Sequence, residues 1–286
     1  VTLEEDTSRL IVLGGLDTET ARANLVFTLV TAPQHGTLSQ GASGGWTYTP
    51  DTNYVGPDSF AYTVRDRGDP DGSNTNAITS APATVSLTVQ PANDAPVIVD
   101  VADQVVLEGS VLLVDLGAAD VEGDTLSWSL VTFPAGMVIN AATGVITWTP
   151  SDGAATVPVT VRVTDNGSPA AFDEVTFGIT VQNVAPTLTV SGAAEVDQGV
   201  PYTLTLGATD PGNDTIASWE INWGDGFVET VAGTATSVQH TYFAGGSSYA
   251  ITATATDEDG SYAAVPVQVL VRAENSPPVP QAQTVW

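Results

Sequence analysis

Apolar and polar residues alternate along short stretches of this chain, and each stretch stops at glycine, proline or aspartate. In TLSWSL at 125–130 and GVITWTP at 144–150 the alternation puts Trp128, Leu130, Ile146 and Trp148 on one face. A period of two marks a strand with one face in a core. The runs are rich in Val and Thr, whose branched side chains suit a pleated surface. Turn signals interrupt them every ~8–12 residues, the spacing of a β-sandwich. Stretches with the 3.6-residue period of a helix are missing, so the pattern predicts an all-β chain with almost no helix.

The pattern repeats. A closing strand runs into an Asn-containing, Pro-terminated link three times: TVQPANDAP to Pro96, TVQNVAP to Pro186 and LVRAENSPP to Pro278. Asn93, Asn183 and Asn275 mark the same step in each. A strand ending in an acidic loop precedes each link, at Asp66, Asp165 and Asp257. Near each start an acidic residue precedes an apolar strand and a Gly-x-x-Asp turn: EEDTSRLIVLGGLD, LEGSVLLVDLGAAD and VDQGVPYTLTLGATD. The expected organisation is three tandem immunoglobulin-like β-sandwich domains in an extended rod, over 1–92, 93–184 and 185–275, with 276–286 a linker opening a further repeat. Both ends read as cut from a longer array.

Charge sharpens this picture. The chain has 33 Asp and Glu against six basic residues, all Arg, for a net charge of −27. Nucleic acid and anionic membrane surfaces are excluded as partners, because phosphate binding needs clustered Lys and Arg. Cations are the natural partners. Acidity also keeps an exported protein soluble, but a merely solvating charge would scatter, and here three acidic stations recur in step with the fold period. The chain has no Cys, which removes disulfides and thiolate metal sites. It has no apolar run long enough to span a bilayer, so this segment is not membrane-embedded, and any export signal or anchor lies outside it.

Particular motifs carry family resemblances. APQHGTLS, GGWTYTPDTNYVGPDSFAYTVRD and NDAP, within residues 1–92, resemble the cadherin-like repeats of large bacterial surface proteins. LEG, DVEGDTLSWSL, PAGMVINAATGVITWTP and VRVTDNG, within 93–184, resemble a dystroglycan-type cadherin-like domain. INWGDG at 221–226 and QHTYFAGGSSYAITATATDEDGSY are similar to a PKD domain, in which the Trp-Gly-Asp-Gly segment is a structural hairpin. Asp225 therefore reads as a turn residue.

The cadherin-like resemblance implies calcium (Ca2+) at domain junctions, held by the base of one domain, the linker and the top loops of the next. Calcium takes about six to eight oxygen ligands in flexible geometry. At the first junction the resemblance maps these onto Glu4 and Glu5, Asn93 and Asp94 of the linker, and Asp120, Glu122 and Asp165. At the second the candidates are Glu108, Asn183, Asp210 and Asp257. Val184 stands there where the first linker has Asp94, so the second site is expected to be weaker or missing. Asp197 and Gln198 replace the acidic pair in the third repeat, and TDEDG at 256–260 is either a ligand loop or a solvated turn. Carboxylates converging without Lys or Arg repel, and a divalent cation is the simplest neutraliser. Affinity is expected at ~10⁻⁴ M or weaker, as in other extracellular modules.

Other signals point to chemistry only weakly. Arg67-Gly68-Asp69 spells an integrin-type tripeptide in a Gly- and Asp-rich turn. Asn166-Gly167-Ser168 and Asn213-Asp214-Thr215 are glycosylation sequons in loops that favour those residues anyway. The two histidines, His35 and His240, fall in different repeats, which argues against a His-based catalytic site. The six Trp read as core or strand residues rather than a sugar platform. The expected function is a non-catalytic calcium-binding stalk, structural or adhesive, of a secreted or cell-surface protein. Its partners are neighbouring repeats, a cell-surface glycan or protein, or further copies in a surface assembly. The alternative is an accessory carbohydrate- or protein-binding module of a secreted polysaccharidase or protease.

Overall fold

The computed structural model describes residues 1–41, 45–68, 75–153 and 155–274. Asp69 of the integrin-type tripeptide, Asn275, the 276–286 segment and Trp286 lie outside them. Among the described residues the secondary structure is strand throughout, apart from one 3₁₀ turn at Arg22–Asn24.

The strands form three sets of facing sheets, each with its own core. In the first, strands Thr2–Glu4, Ala83–Gln90, Gly56–Arg65 and Val26–Thr31 make one sheet, and Arg9–Ile11, Trp46–Pro50 and Gly36–Gln40 the other. Leu3, Trp46, Tyr48, Phe60 and Leu87 meet between them. In the second, Ser127–Thr132, Ala155–Thr164, Phe172–Gln182 and Gln104–Leu107 face Leu112–Asp115, Val145–Trp148 and Val138–Ile139. Trp128, Ile146 and Trp148 are buried there, with Leu130 packed against them. The third pairs Thr187–Gly192, Pro201–Thr209 and Ser237–Thr241 opposite a larger sheet built on Ser247–Thr256, around Trp219, Trp223 and Tyr242. All five described Trp residues are buried, because alternation turns each large ring inward. Truncating one to Ala removes about 3–5 kcal/mol.

The residues fall into two compact units. One comprises Val1–Pro96 together with the loops Asp120–Thr125 and Asp165–Ala171; the other comprises Val97–Ala119, Leu126–Thr164 and the chain from Phe172 onward. Two loops that join second-sandwich strands in sequence thus belong to the same unit as the first sandwich.

Local turns hold the third sandwich together. In the INWGDG hairpin, Gly224 and Gly226 have φ of 83° and 98°, a region glycine enters without steric penalty. Asp225 accepts the Phe227 N–H with Oδ1, and its Oδ2 lies 2.7 Å from His240 Nε2. His240 stacks between Trp223 and Phe227. His35 stacks on Tyr54 at 4.2 Å.

Candidate metal centres

Each sandwich has, near its start, a short strand running parallel to its last strand: Leu3 lies opposite Val89, Val106 opposite Val181 and Val196 opposite Val271. The next residue closes the ladder with its N–H: Glu5 to Gln90 O at 2.9 Å, Glu108 to Gln182 O at 3.0 Å and Gln198 to Arg272 O at 3.0 Å. One register thus delivers three equivalent side chains to the same end of each sandwich. Glu5 and Glu108 are only 2% and 1% exposed. Each uses Oε1 to hold the outgoing link, from Ala92 N at 2.9 Å and Val184 N at 2.7 Å. In the third sandwich Gln198 instead donates to Phe243 O. Glu4 is exposed, and its carbonyl takes the Thr7 hydroxyl. The strand period turns Glu5 inward in its place.

Val184 therefore corresponds through its backbone to Ala92 and not to Asp94. The second link is shorter, and the Asn spacing does not pair equivalent positions. Asn93 Nδ2 donates to Asp165 Oδ2 and Pro169 O, both at 3.1 Å. Asn183 Nδ2 donates to Tyr262 Oη at 2.7 Å.

The loop acids share a second pattern, in which one oxygen braces the loop. Asp165 Oδ1 accepts from Gly167 N and Ala171 N, and Asp257 Oδ1 from Asp259 N and Gly260 N. Asp120 Oδ1 takes Asp124 N, and Asp210 Oδ1 takes Gly212 N. The other oxygens of Asp120, Asp210 and Asp257 are buried with no hydrogen-bond partner. Asp and Asn suit these tight turns because their short side chains reach backbone N–H groups two to three residues on.

The first cluster gathers Glu5, Asp94, Asp120, Glu122 and Asp165, and adds Asp6 and Asp124. Asp94 N donates to Glu122 Oε2 at 3.3 Å. Burial, followed by the charges of Glu122, Asp6, Glu5 and Asp120, raises the Asp94 carboxyl above its ordinary value. Burial and the charges of Asp120, Asp165 and Glu122 raise Asp124. Burial also pushes Asp165 upward, but its bonds from Ala171, Asn93 and Gly167 outweigh that and lower it.

The second cluster is denser. It brings together Glu108, Asn183, Asp210 and Asp257, and adds Asp152, Asp214 and Asp259. Glu108, Asp210 and Asp214 offer carboxylate oxygens within 4.8 Å of one another, as do Asp152, Asp214 and Asp259. Glu108 Oε2, Asn183 Oδ1, Asp210 Oδ2, Asp257 Oδ2, Asp259 Oδ2 and both oxygens of Asp214 are buried without a hydrogen-bond partner. Burial and the charges of Glu108, Asp210, Glu258 and Asp259 push Asp214 up to about 6. Burial and the charges of Asp257, Asp152, Glu258 and Asp210 raise Asp259. Among the described residues the ion pairs are Arg162–Glu174, Arg272 with Glu195 and Asp197, and His240–Asp225, so none serves either cluster.

An unpartnered buried carboxylate oxygen is costly. A set of such oxygens, all hard donors with an amide oxygen among them, suits a hard divalent cation such as calcium and offers no nitrogen or sulfur for a softer metal. The residues present fit that ion. Sequence reading missed Asp214 because it sat inside a sequon, and Asp152 because it lies outside the three recurring acidic stations. The available signal was their setting in the polar, glycine-containing loops SDG and GND.

Residues 1–91 match the family described as "Bacterial cadherin-like domain". Residues 95–182 match "Putative Ig domain", and residues 183–271 match "PKD domain". The chain thus carries cadherin-like and Ig-like modules in tandem, followed by a PKD module. Domains of these kinds are typical of extracellular proteins and typically non-catalytic. No curated protein matches the chain.

Similar solved structures include Drosophila N-cadherin EC1-4, at 13% identity over 96% of this chain and 73% of that one with a TM-score of 0.44. Human CDH23 EC21-23 is 17% identical over 86% and 88%, with a TM-score of 0.41. The protocadherin GammaB4 extracellular domain is 16% identical over 88% of this chain, with a TM-score of 0.41, and this chain spans 45% of its length. Among the described residues, no helix is long and apolar enough to cross a membrane.

Proposed function

We propose that this chain is a non-catalytic, calcium-binding structural or adhesive segment of a larger extracellular protein, divided near residues 92 and 184, in which calcium bound at each module end stiffens the array. The observation that carries the proposal is the set of buried, unpartnered carboxylate oxygens, Asp120 Oδ2 at the first cluster and those of Glu108, Asp210, Asp214, Asp257 and Asp259 at the second, with no Arg or Lys paired to them among the described residues. Glu5, Asn93, Asp94, Asp120, Glu122 and Asp165 would hold calcium at the first cluster. Glu108, Asn183, Asp210 and Asp257, with Asp214, would hold it at the second. The shorter link does not weaken the second site, since Val184 contributes a backbone N–H that orients Glu108. The bound ion neutralises mutual repulsion, and what binds only the folded state stabilises it.

Small-angle X-ray scattering in millimolar calcium and in excess chelator tests this. A stiff particle that becomes flexible on chelation is expected, with a lower melting temperature; identical profiles and melting would defeat the proposal.

One observation favours a second reading as a binding module. The first sandwich carries a groove of about 840 Å³ lined by Leu10, Val12, Leu25, Val26 and Phe27 together with Arg22 and Gln40. Sedimentation with insoluble polysaccharides, with and without calcium, separates the two, because a spacer stays in solution.

A further inference from the structure

Both carboxylate groups of the second cluster run through Asp214. We propose that the cluster takes two divalent cations, and that Asp214 bridges them. Glu108 and Asp210 complete the first site, and Asp152 and Asp259 the second. This rests on the reading above that the cluster binds calcium, and it deepens that reading by assigning number and roles.

Three features of the structure lead there. Glu108, Asp210 and Asp257 each commit one oxygen to a backbone N–H and leave the other free. Asp214 commits neither: both its oxygens are buried and unpartnered, as a carboxylate shared by two ions requires. Next, Glu108 is 1% exposed, its Oε2 is unpartnered, and it offers a carboxylate oxygen within 4.8 Å of those of Asp210 and Asp214. A Cβ added at Gly212 would meet Glu108 Oε2 at 2.8 Å and Asp210 Oδ1 at 3.3 Å, so glycine keeps that space open. On the other side, Asp257 is 7% exposed and its Oδ2 is also unpartnered. It lies in the same loop as Asp259 and accepts that residue's N–H.

Electrostatics point the same way. Glu108, Asp152, Asp210, Asp214, Asp257 and Asp259 crowd together with no Arg or Lys paired to them among the described residues. One divalent ion would leave most of that charge uncompensated, and an ion's own charge dominates such a site.

The test counts calcium bound to the full 286-residue chain by equilibrium dialysis at a calcium concentration that saturates the parent protein. The proposal expects Asp214→Asn to lower the count by two, and Asp152→Asn and Glu108→Gln to lower it by one each. Near-UV circular dichroism from the buried Trp219 and Trp223 reports whether each variant keeps its fold. Asp152 is exposed, so its variant keeps the test decisive should Asp214→Asn unfold. A loss of one ion from a folded Asp214→Asn, or none from Asp152→Asn with one from Glu108→Gln, would overturn the two-ion bridge while leaving calcium binding intact. No loss from any of the three would remove the underlying reading as well.

Discussion

Single carboxylates divide here by what surrounds them. Asp58 is buried and accepts Gln34 N, Ser59 N, His35 N and the Tyr48 hydroxyl. Burial alone would raise it, but the hydrogen bonds outweigh burial and lower it. Both its oxygens face donors, so the amide of Asp58→Asn must point an N–H at another donor. That change is expected to cost about 2 kcal/mol, read as an earlier chemical-denaturation midpoint of the first sandwich, with calcium binding unchanged. Asp214 is the opposite case, with nothing to satisfy it and its carboxyl raised from 3.8 to about 6. Between those values the folded chain holds a proton that the unfolded chain has lost. Metal-free stability from this residue therefore falls as pH rises through that window. Chelated protein is expected to melt higher at pH 5 than at pH 7, saturating calcium should reverse the order, and Asp214→Asn should flatten the chelated difference.

Elements convert local pattern into position. The parallel pairing of the first and last strands carries Glu5, Glu108 and Gln198 to equivalent places, and only the first two are acids. A slip of one residue in that register would expose the buried carboxylate and bury its neighbour. The INWGDG hairpin shows the same dependence on backbone. A Cβ on Gly224, at φ 83°, would lie 2.7 Å from Ala250 O. Gly224→Ala is expected to destabilise the third sandwich by about 1–3 kcal/mol through positive φ and the clash. Calcium stoichiometry should stay unchanged, because the hairpin holds none of the cluster acids; denaturation monitored by tryptophan fluorescence beside a calcium count checks both halves.

At the scale of the whole molecule, a charge of −27 acts against the compact state. Monovalent salt should partly substitute for calcium by screening. In chelator, raising sodium chloride from about 0.01 M to about 0.15 M shortens the Debye length from about 30 Å to about 8 Å. The melting temperature should rise accordingly, and the same increment in calcium-saturated protein should be smaller, since bound ions have already neutralised the clusters. Equal increments in both conditions would place the repulsion on the open surface instead.

Sandwich class, repeat number and the acidic stations were legible in the chain because alternation and turn chemistry are local. Trp128, Ile146 and Trp148 face inward for the same reason that they alternate with Ser and Thr. Asp120, Asp165, Asp210 and Asp257 announce themselves by tight turns that need a short acceptor. Tertiary structure alone decided which oxygens stay free. Glu5 and not Glu4 turns inward because pairing with the last strand sets the register. Val184 matches Ala92 because both N–H groups meet the same buried glutamate. Asp152, Asp214 and Asp259 come together only when three loops distant in sequence pack, since the cost of an unpaired buried charge depends on neighbours that no local pattern contains.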